Sequence, residues 1–334
     1  MDANILLIMD LEILLRQIDP KKMVDMGFRV VSDTERRRII RVACLANIPV
    51  YHTSVVGASA QQHSGHSDLF AFNAREELQG YDTKFKQLND EQLCVFNRVT
   101  DAIESGHGGQ FYLDGPGGSG KSHVLQCLLH YERKDINIPI ATASTGIAST
   151  LLSLCRTLHS RFRVPIQITA ESICNITKQS SVADLLRDKR VRLVIVDEAP
   201  MLHRFILECL DRTLRDLRGE DKPFGGLVLL VTGDFRQTLP VILNGSEGDI
   251  LRACLFSSSL WPYFQRCSLT KNMRLLSLQR SGDKKAAQEL ETFATYLLDI
   301  GDGKIGPTFQ IPFELRSVAC AKIPTRIDTK KTSY

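Results

Sequence analysis

Paired cysteines are missing from this chain: its nine cysteines fall singly, at 44, 94, 127, 155, 174, 209, 254, 267 and 320, and no CxxC occurs. That spacing offers no disulfide framework and reads as small buried hydrophobes in a reducing compartment. Charge of one sign is scarce too, with 42 basic against 38 acidic residues and a formal net charge of +4. Such a balance permits a polyanionic partner without announcing one. Long hydrophobic runs are absent. The apolar stretch at the start, Ile5 to Met9, stops at Asp10 and Glu12 and has no basic leader, so neither a secretory signal nor a membrane span is predicted. No internal repeat is present.

What remains is a globular composition of 334 residues, 43% of them hydrophobic, long enough for two ordinary domains. Residues 1–53 read as a helical N-terminal extension of mixed charge. The Ser-, Gly-, Gln- and His-rich stretch that follows, TSVVGASAQQHSGHS, opens a linker assigned to 54–83. Between 84 and 275 short runs rich in branched or aromatic residues (QFYLD, IPIATA, RLVIVDE, LVLLVTGD) alternate with helical periods. This alternation predicts an open α/β sheet. Residues 276–334 form a tail with one helical stretch, KKAAQELETFATYLLDI.

The segment QFYLD runs directly into GPGGSGKS, residues 115–122, and a helical period with Val124, Leu125, Leu128 and Leu129 follows. A loop between strand and helix is where a phosphate-binding nest forms. Gly115, Pro116, Gly117, Gly118, Ser119 and Gly120 supply the concave backbone, Lys121 a charge for the β and γ phosphates, and Ser122 a hydroxyl for Mg²⁺. In RLVIVDE, four apolar residues predict a buried strand with Asp197 and Glu198 at its carboxyl end, the ligand edge of such sheets. Asp197 suits Mg²⁺, and Glu198 suits a base that deprotonates water. The bland alternatives are a glycine-rich turn and an acidic helix cap. Together the two motifs specify nucleoside triphosphate hydrolysis and leave open what it drives. Asp234, Arg236 and Gln237 of GDFRQTLP emerge from a further strand beside the same pocket.

Taken with LNDEQ, ATASTGIAS, TLHS, LTKNMR and FATYLLDIGDGK, these motifs span residues 88–304. Over that span the sequence resembles the Pif family of 5′-to-3′ DNA helicases in superfamily one, in particular the group related to Helitron transposon helicases. The resemblance implies a P-loop NTPase fold with a RecA-like parallel sheet and helices on both faces, the helical extension standing before it. It implies ATP and Mg²⁺ as cofactors, single-stranded DNA and DNA junctions as partners, a monomer, and residence in the nucleus or else the mitochondrion. By position it makes Gln92 a reader of the adenine edge and brings Gln237 and Arg274 to the γ-phosphate. It sets Ser144, Thr145 and Gly146 on a DNA phosphate, with His159 and Ser160 along the same track. Read without it, Ser144 and Thr145 are helix caps and His159 a core histidine. Trp261 reads as a packing anchor rather than a stacking platform.

The tail departs from the family pattern. Superfamily-one motors close ATP between two RecA-like domains, and a second one needs on the order of 150 residues. No TxHKSQG-like or ALSR-like run follows Arg274. A family member truncated after its first motor domain is expected, and the competing reading is an ATP-binding module that grips single strands weakly without unwinding.

Overall fold

The computed structural model describes Leu69, residues 72–302 except 282 and 283, and Lys304. The expected helical extension 1–53, the start of the linker and the end of the tail lie outside the described residues. Asn73 caps the first helix, α1 (Ala74–Phe85), by accepting from the Arg75 amide at 3.0 Å. Helix α2 (Asp90–Ser105) starts in a capping box between Asn89 and Gln92 and ends at the left-handed Gly106. After strand β1 (Gly109–Asp114) and helix α3 (Lys121–Lys134) come β2 (Ile140–Ala143), the single turn α4 (Gly146–Ser149), β3 (Arg156–Thr157) and α5 (Leu158–Phe162). The chain continues through α6 (Ser181–Arg187), β4 (Leu193–Asp197), α7 (Arg204–Arg218), β5 (Val228–Gly233) and α8 (Glu247–Ala253). It then forms β6 (Phe264–Ser268), α9 (Met273–Ser281) and α10 (Lys284–Gly301).

The six strands pair in parallel in the order β3-β2-β4-β5-β1-β6. Side chains alternate across the sheet even where the sequence is continuously apolar. On β4, Val194 and Val196 join one cluster with Leu210 and Leu214 of α7, while Leu193 and Ile195 join another with Val99 of α2 and Leu125 of α3. Both faces are therefore covered, as expected for a RecA-like P-loop fold, and the carboxyl ends of the strands are left as the edge where ligands bind.

Two boundaries differ from the sequence reading. The stretch assigned to a linker, 54–83, ends in α1, which packs on α3. Its polar composition hides Tyr81 and Phe85, four residues apart, whose rings meet at 5.2 Å and reach Tyr131 and Phe96. Glu77 adds a 2.5 Å contact to His130 Nδ1. The boundary at 275 falls inside α9. Among the described cysteines, five are buried as predicted and Cys155 is half-buried, but Cys94 is exposed. No helix among the described residues is long and apolar enough to cross a membrane.

Candidate active site

The GPGGSGKS loop leaves β1 at Asp114 and enters α3 at Lys121. Gly118 and Gly120 turn it with φ of +85° and +90°, a region that only glycine enters at low cost. The 14-residue α3 directs its unpaired amides at the loop. Lys121 Nζ lies across the nest, donating to Gly115 O at 2.5 Å and Pro116 O at 3.4 Å. The ammonium thus already spans the mouth where phosphate oxygens would be gripped.

Gln92, expected at the adenine edge, lies beneath the phosphate loop. Its Oε1 accepts from the Asn89 amide at 3.1 Å, its Nε2 donates to Ser119 O at 3.2 Å, and it is 1% exposed. In this arrangement it presents no edge to a base. It braces the phosphate loop through Ser119 and closes the capping box that starts α2.

Asp197 and Glu198 stand at the end of β4. Asp197 is 3% exposed and accepts from the Glu198 amide at 2.9 Å. Burial, with the Glu198 charge behind it, pushes its pKa up to about 6 against the opposing pull of Lys121. Burial raises Glu198 as well, Lys121 opposing and Asp234 reinforcing the rise. Glu198 takes φ 51° and ψ 39°, a left-handed backbone that costs a non-glycine residue about 1–3 kcal/mol. The turn after it is wedged by Pro200, which fills the space a side chain at Gly233 would need. Asp197 and Glu198, with the Ser122 hydroxyl in the first turn of α3, are hard-oxygen donors of the kind that suits Mg²⁺. No group of three or more His, Cys, Asp or Glu side chains among the described residues could cage a metal.

Strand β5 lies between β1 and β4, so the turn carrying Gln237 sits between the phosphate loop and the carboxylate pair. Gln237 is exposed, and its amide donates to Asp234 O at 3.0 Å. Arg274 comes to the loop from α9. The Met273 amide donates to Gly118 O at 2.9 Å, and the Arg274 stem stands 3.2 Å from where a Gly118 side chain would begin. The structure thus gathers Lys121, Asp197, Glu198, Gln237 and Arg274 at one edge.

The residues assigned to DNA lie along the same edge, at the ends of β2 and β3. The Ser144 amide donates to Asp197 O at 3.0 Å, which couples this stretch to the carboxylate pair. Thr145 Oγ1 accepts from the Ala148 amide at 3.2 Å, so its capping role is realised, and Gly146 opens α4. His159 and the exposed Ser160 sit on α5, and burial lowers the His159 pKa. Trp261 stacks on Phe264 at 5.3 Å and meets Tyr112 at 5.1 Å, the packing role read from the sequence.

Two contributors escaped sequence reasoning. Glu91 accepts from the Thr270 hydroxyl at 2.6 Å and amide at 2.8 Å, which joins the start of α2 to the LTKNMR segment. Asn272 Oδ1 accepts from the Arg274 amide at 3.1 Å and lies 3.0 Å from the Gly118 side-chain position. Both residues stand inside recognised motifs, but nothing in one sequence pairs positions 179 apart.

Known proteins resemble this chain. Residues 87–310, two thirds of the chain, fit the model of the PIF1-like helicase family. The ATP-dependent DNA helicase Pif1 of a Psychrobacter species is 36% identical over 54% of this chain and 27% of its own length. The ATP-dependent DNA helicase RRM3 of Saccharomyces cerevisiae is 33% identical over 56% of the chain and 25% of its own. A solved Pif1 helicase from Candida albicans aligns at 28% identity and a TM-score of 0.48, over 59% of this chain and 42% of that one. The chain spans about a quarter of the length of the curated relatives it matches. With two thirds of its residues fitting one family model, this chain belongs to the PIF1-like helicase family.

Proposed function

We propose that this chain is an ATP-hydrolysing motor domain of a 5′-to-3′ DNA helicase, which couples turnover to movement along single-stranded DNA and to opening of duplexes at junctions. One observation carries the reading: Lys121, Asp197, Glu198, the Gln237 turn and Arg274 meet at one sheet edge, and Ser144 extends that edge toward α5 by bonding to Asp197 O. In this scheme Lys121 trades its carbonyl partners for the β and γ phosphates. Glu198, raised in pKa by burial, takes the proton of the attacking water. Gln237 and Arg274 stand at the γ-phosphate, and Ser144, Thr145, Gly146, His159 and Ser160 hold DNA phosphates without reading bases. Mg²⁺, held by Ser122 and Asp197, would neutralise charge developing on the phosphates. The setting is nuclear or mitochondrial DNA, and the working unit is a monomer.

A second reading is a module that binds ATP and grips single strands weakly without unwinding. In either reading the sheet of the described residues supplies one wall of a nucleotide cleft. Steady-state ATPase of the purified chain, with and without single-stranded DNA, tests the first reading, and a forked-duplex assay separates it from the second. Glu198→Gln should bind ATP and fail to turn it over. Equal ATP affinity in wild type and Lys121→Ala, by calorimetry, would overturn both readings.

A further inference from the structure

The turn after β5 is held from outside the nucleotide site. Arg236 Nε donates to Asp302 Oδ1 at 2.6 Å, across 66 residues of sequence. Inside the turn the Arg236 amide donates to Asp234 Oδ1 at 3.0 Å, and Nη1 reaches the same oxygen at 3.4 Å. Arg236 is thus a pivot with the strand end on one side and the end of α10 on the other. That end lies directly on the arginine stem: a side chain begun at Gly301 would stand 2.8 Å from Arg236 Cβ. Lys304 Nζ holds the remaining oxygen of Asp302 at 3.2 Å and Asp299 at 3.0 Å, so the carboxylate is fixed from both sides. The Arg236 and Lys304 hydrogen bonds keep the Asp302 carboxyl below its usual range.

A closed mechanical path follows from these contacts. Gly118 of the phosphate loop accepts from Met273 at the start of α9. Helix α9 packs on α10, and α10 returns through Asp302 and Arg236 to the turn that carries Gln237. Strand β5 then pairs with β1, which leads back into the phosphate loop. Helix α10 therefore spans the two ends of the site that must move together when a γ-phosphate is bound or lost. Asp302 lies in the FATYLLDIGDGK run, to which the sequence reading gave no role, and it stands beyond Arg274 in the chain. We propose that Asp302 is a positioning residue, which acts through Arg236 to fix the turn carrying Gln237 and makes α10 the link between the phosphate loop and that turn. The catalytic half of this inference rests on the hydrolysis reading above; the structural half does not.

The test compares wild type with Asp302→Ala, Asp302→Asn and Asp302→Glu in the full chain. Backbone amide exchange over residues 234–238, measured without nucleotide, should quicken about tenfold in Asp302→Ala, as expected for loss of a charge-assisted hydrogen bond. The ATPase kcat should fall about tenfold with KM for ATP within about twofold, because the loss concerns geometry at the γ-phosphate and not uniform binding. Asp302→Glu, which keeps the charge, should recover most of both effects, and Asp302→Asn should recover little. Thermal midpoints should agree across the series, since Asp302 is a partly exposed surface group. Unchanged exchange in the turn overturns the proposal whatever the turnover, and quickened exchange with unchanged kcat overturns the positioning role. A wild-type chain with no turnover sinks the hydrolysis reading instead, and the exchange comparison then decides the structural half alone.

Discussion

Gln92 donates through Nε2 to the Ser119 carbonyl at 3.2 Å, while its Oε1 closes the capping box on Asn89, so one side chain joins the start of α2 to the phosphate loop. Substitution to Ala at 92 removes both bonds at once. ATP and GTP should weaken together, by roughly five- to tenfold from the loss of about 1 kcal/mol of loop bracing. Titration calorimetry with the two nucleotides checks this. A changed ATP-to-GTP ratio would return Gln92 to the role of base reader.

Strain at Glu198 predicts opposite effects on stability and turnover. Asn tolerates the left-handed backbone far better than Glu and carries no charge to bury. Glu198→Asn should therefore stabilise the fold by about 1 kcal/mol, which raises Tm by about 2–4 °C in a domain of this size. ATP turnover should fall by about 10² to 10⁴ with the loss of the base. Calorimetric melting beside steady-state ATPase reads both, and a lowered Tm would remove strain from the account.

The contrast between Gln92 and Glu198 shows where sequence reasoning reaches. The places of Lys121, Ser122, Asp197 and Glu198 at the ends of β1 and β4 were legible because strand, loop and helix signals bracket them. The sheet was legible because four of its strands are apolar runs with a turn or helix after each. What escaped was tertiary. The buried state of Gln92, the closure of Thr270 on Glu91 and the docking of α1 on α3 depend on contacts across distant sequence. Even α1, with only Tyr81 and Phe85 to mark its inner face, takes its place from the aromatic partners Phe96 and Tyr131 that only the fold supplies.

Gly233 offers a purely steric test of the coupling between β5 and the carboxylate pair. A methyl group there would collide with the Pro200 ring, two residues after Glu198. Gly233→Ala should push the Pro200 turn away and carry Glu198 with it. Displacement on the ångström scale costs about a hundredfold in turnover, with nucleotide affinity largely retained because the phosphate loop is untouched. Equal kcat in the variant would mean that the turn yields without moving Glu198.

The ion pair between Glu132 and Arg192 predicts a pH-dependent stability. Glu132, at the end of α3, is wholly buried and takes a two-pronged contact from Arg192, Nη2 to Oε1 at 2.9 Å and Nε to Oε2 at 3.1 Å. Burial nevertheless holds the Glu132 pKa above its ordinary value, the Arg192 contacts only partly offsetting it. The folded state therefore binds more protons than the unfolded one above the ordinary glutamate pKa. Stability falls as pH rises through that window. Arg192→Ala removes the offset, lifts the folded pKa further and extends the window upward. At neutral pH the variant should lose about 3–5 kcal/mol, as expected for an uncompensated buried charge. Toward pH 4, where the carboxyl is protonated in both states, most of that deficit should vanish. Urea unfolding of both proteins at a series of pH values measures it. A deficit independent of pH would assign the loss to packing of the arginine stem, and the paired change Glu132→Gln with Arg192→Met should be close to neutral if the charge is the cause.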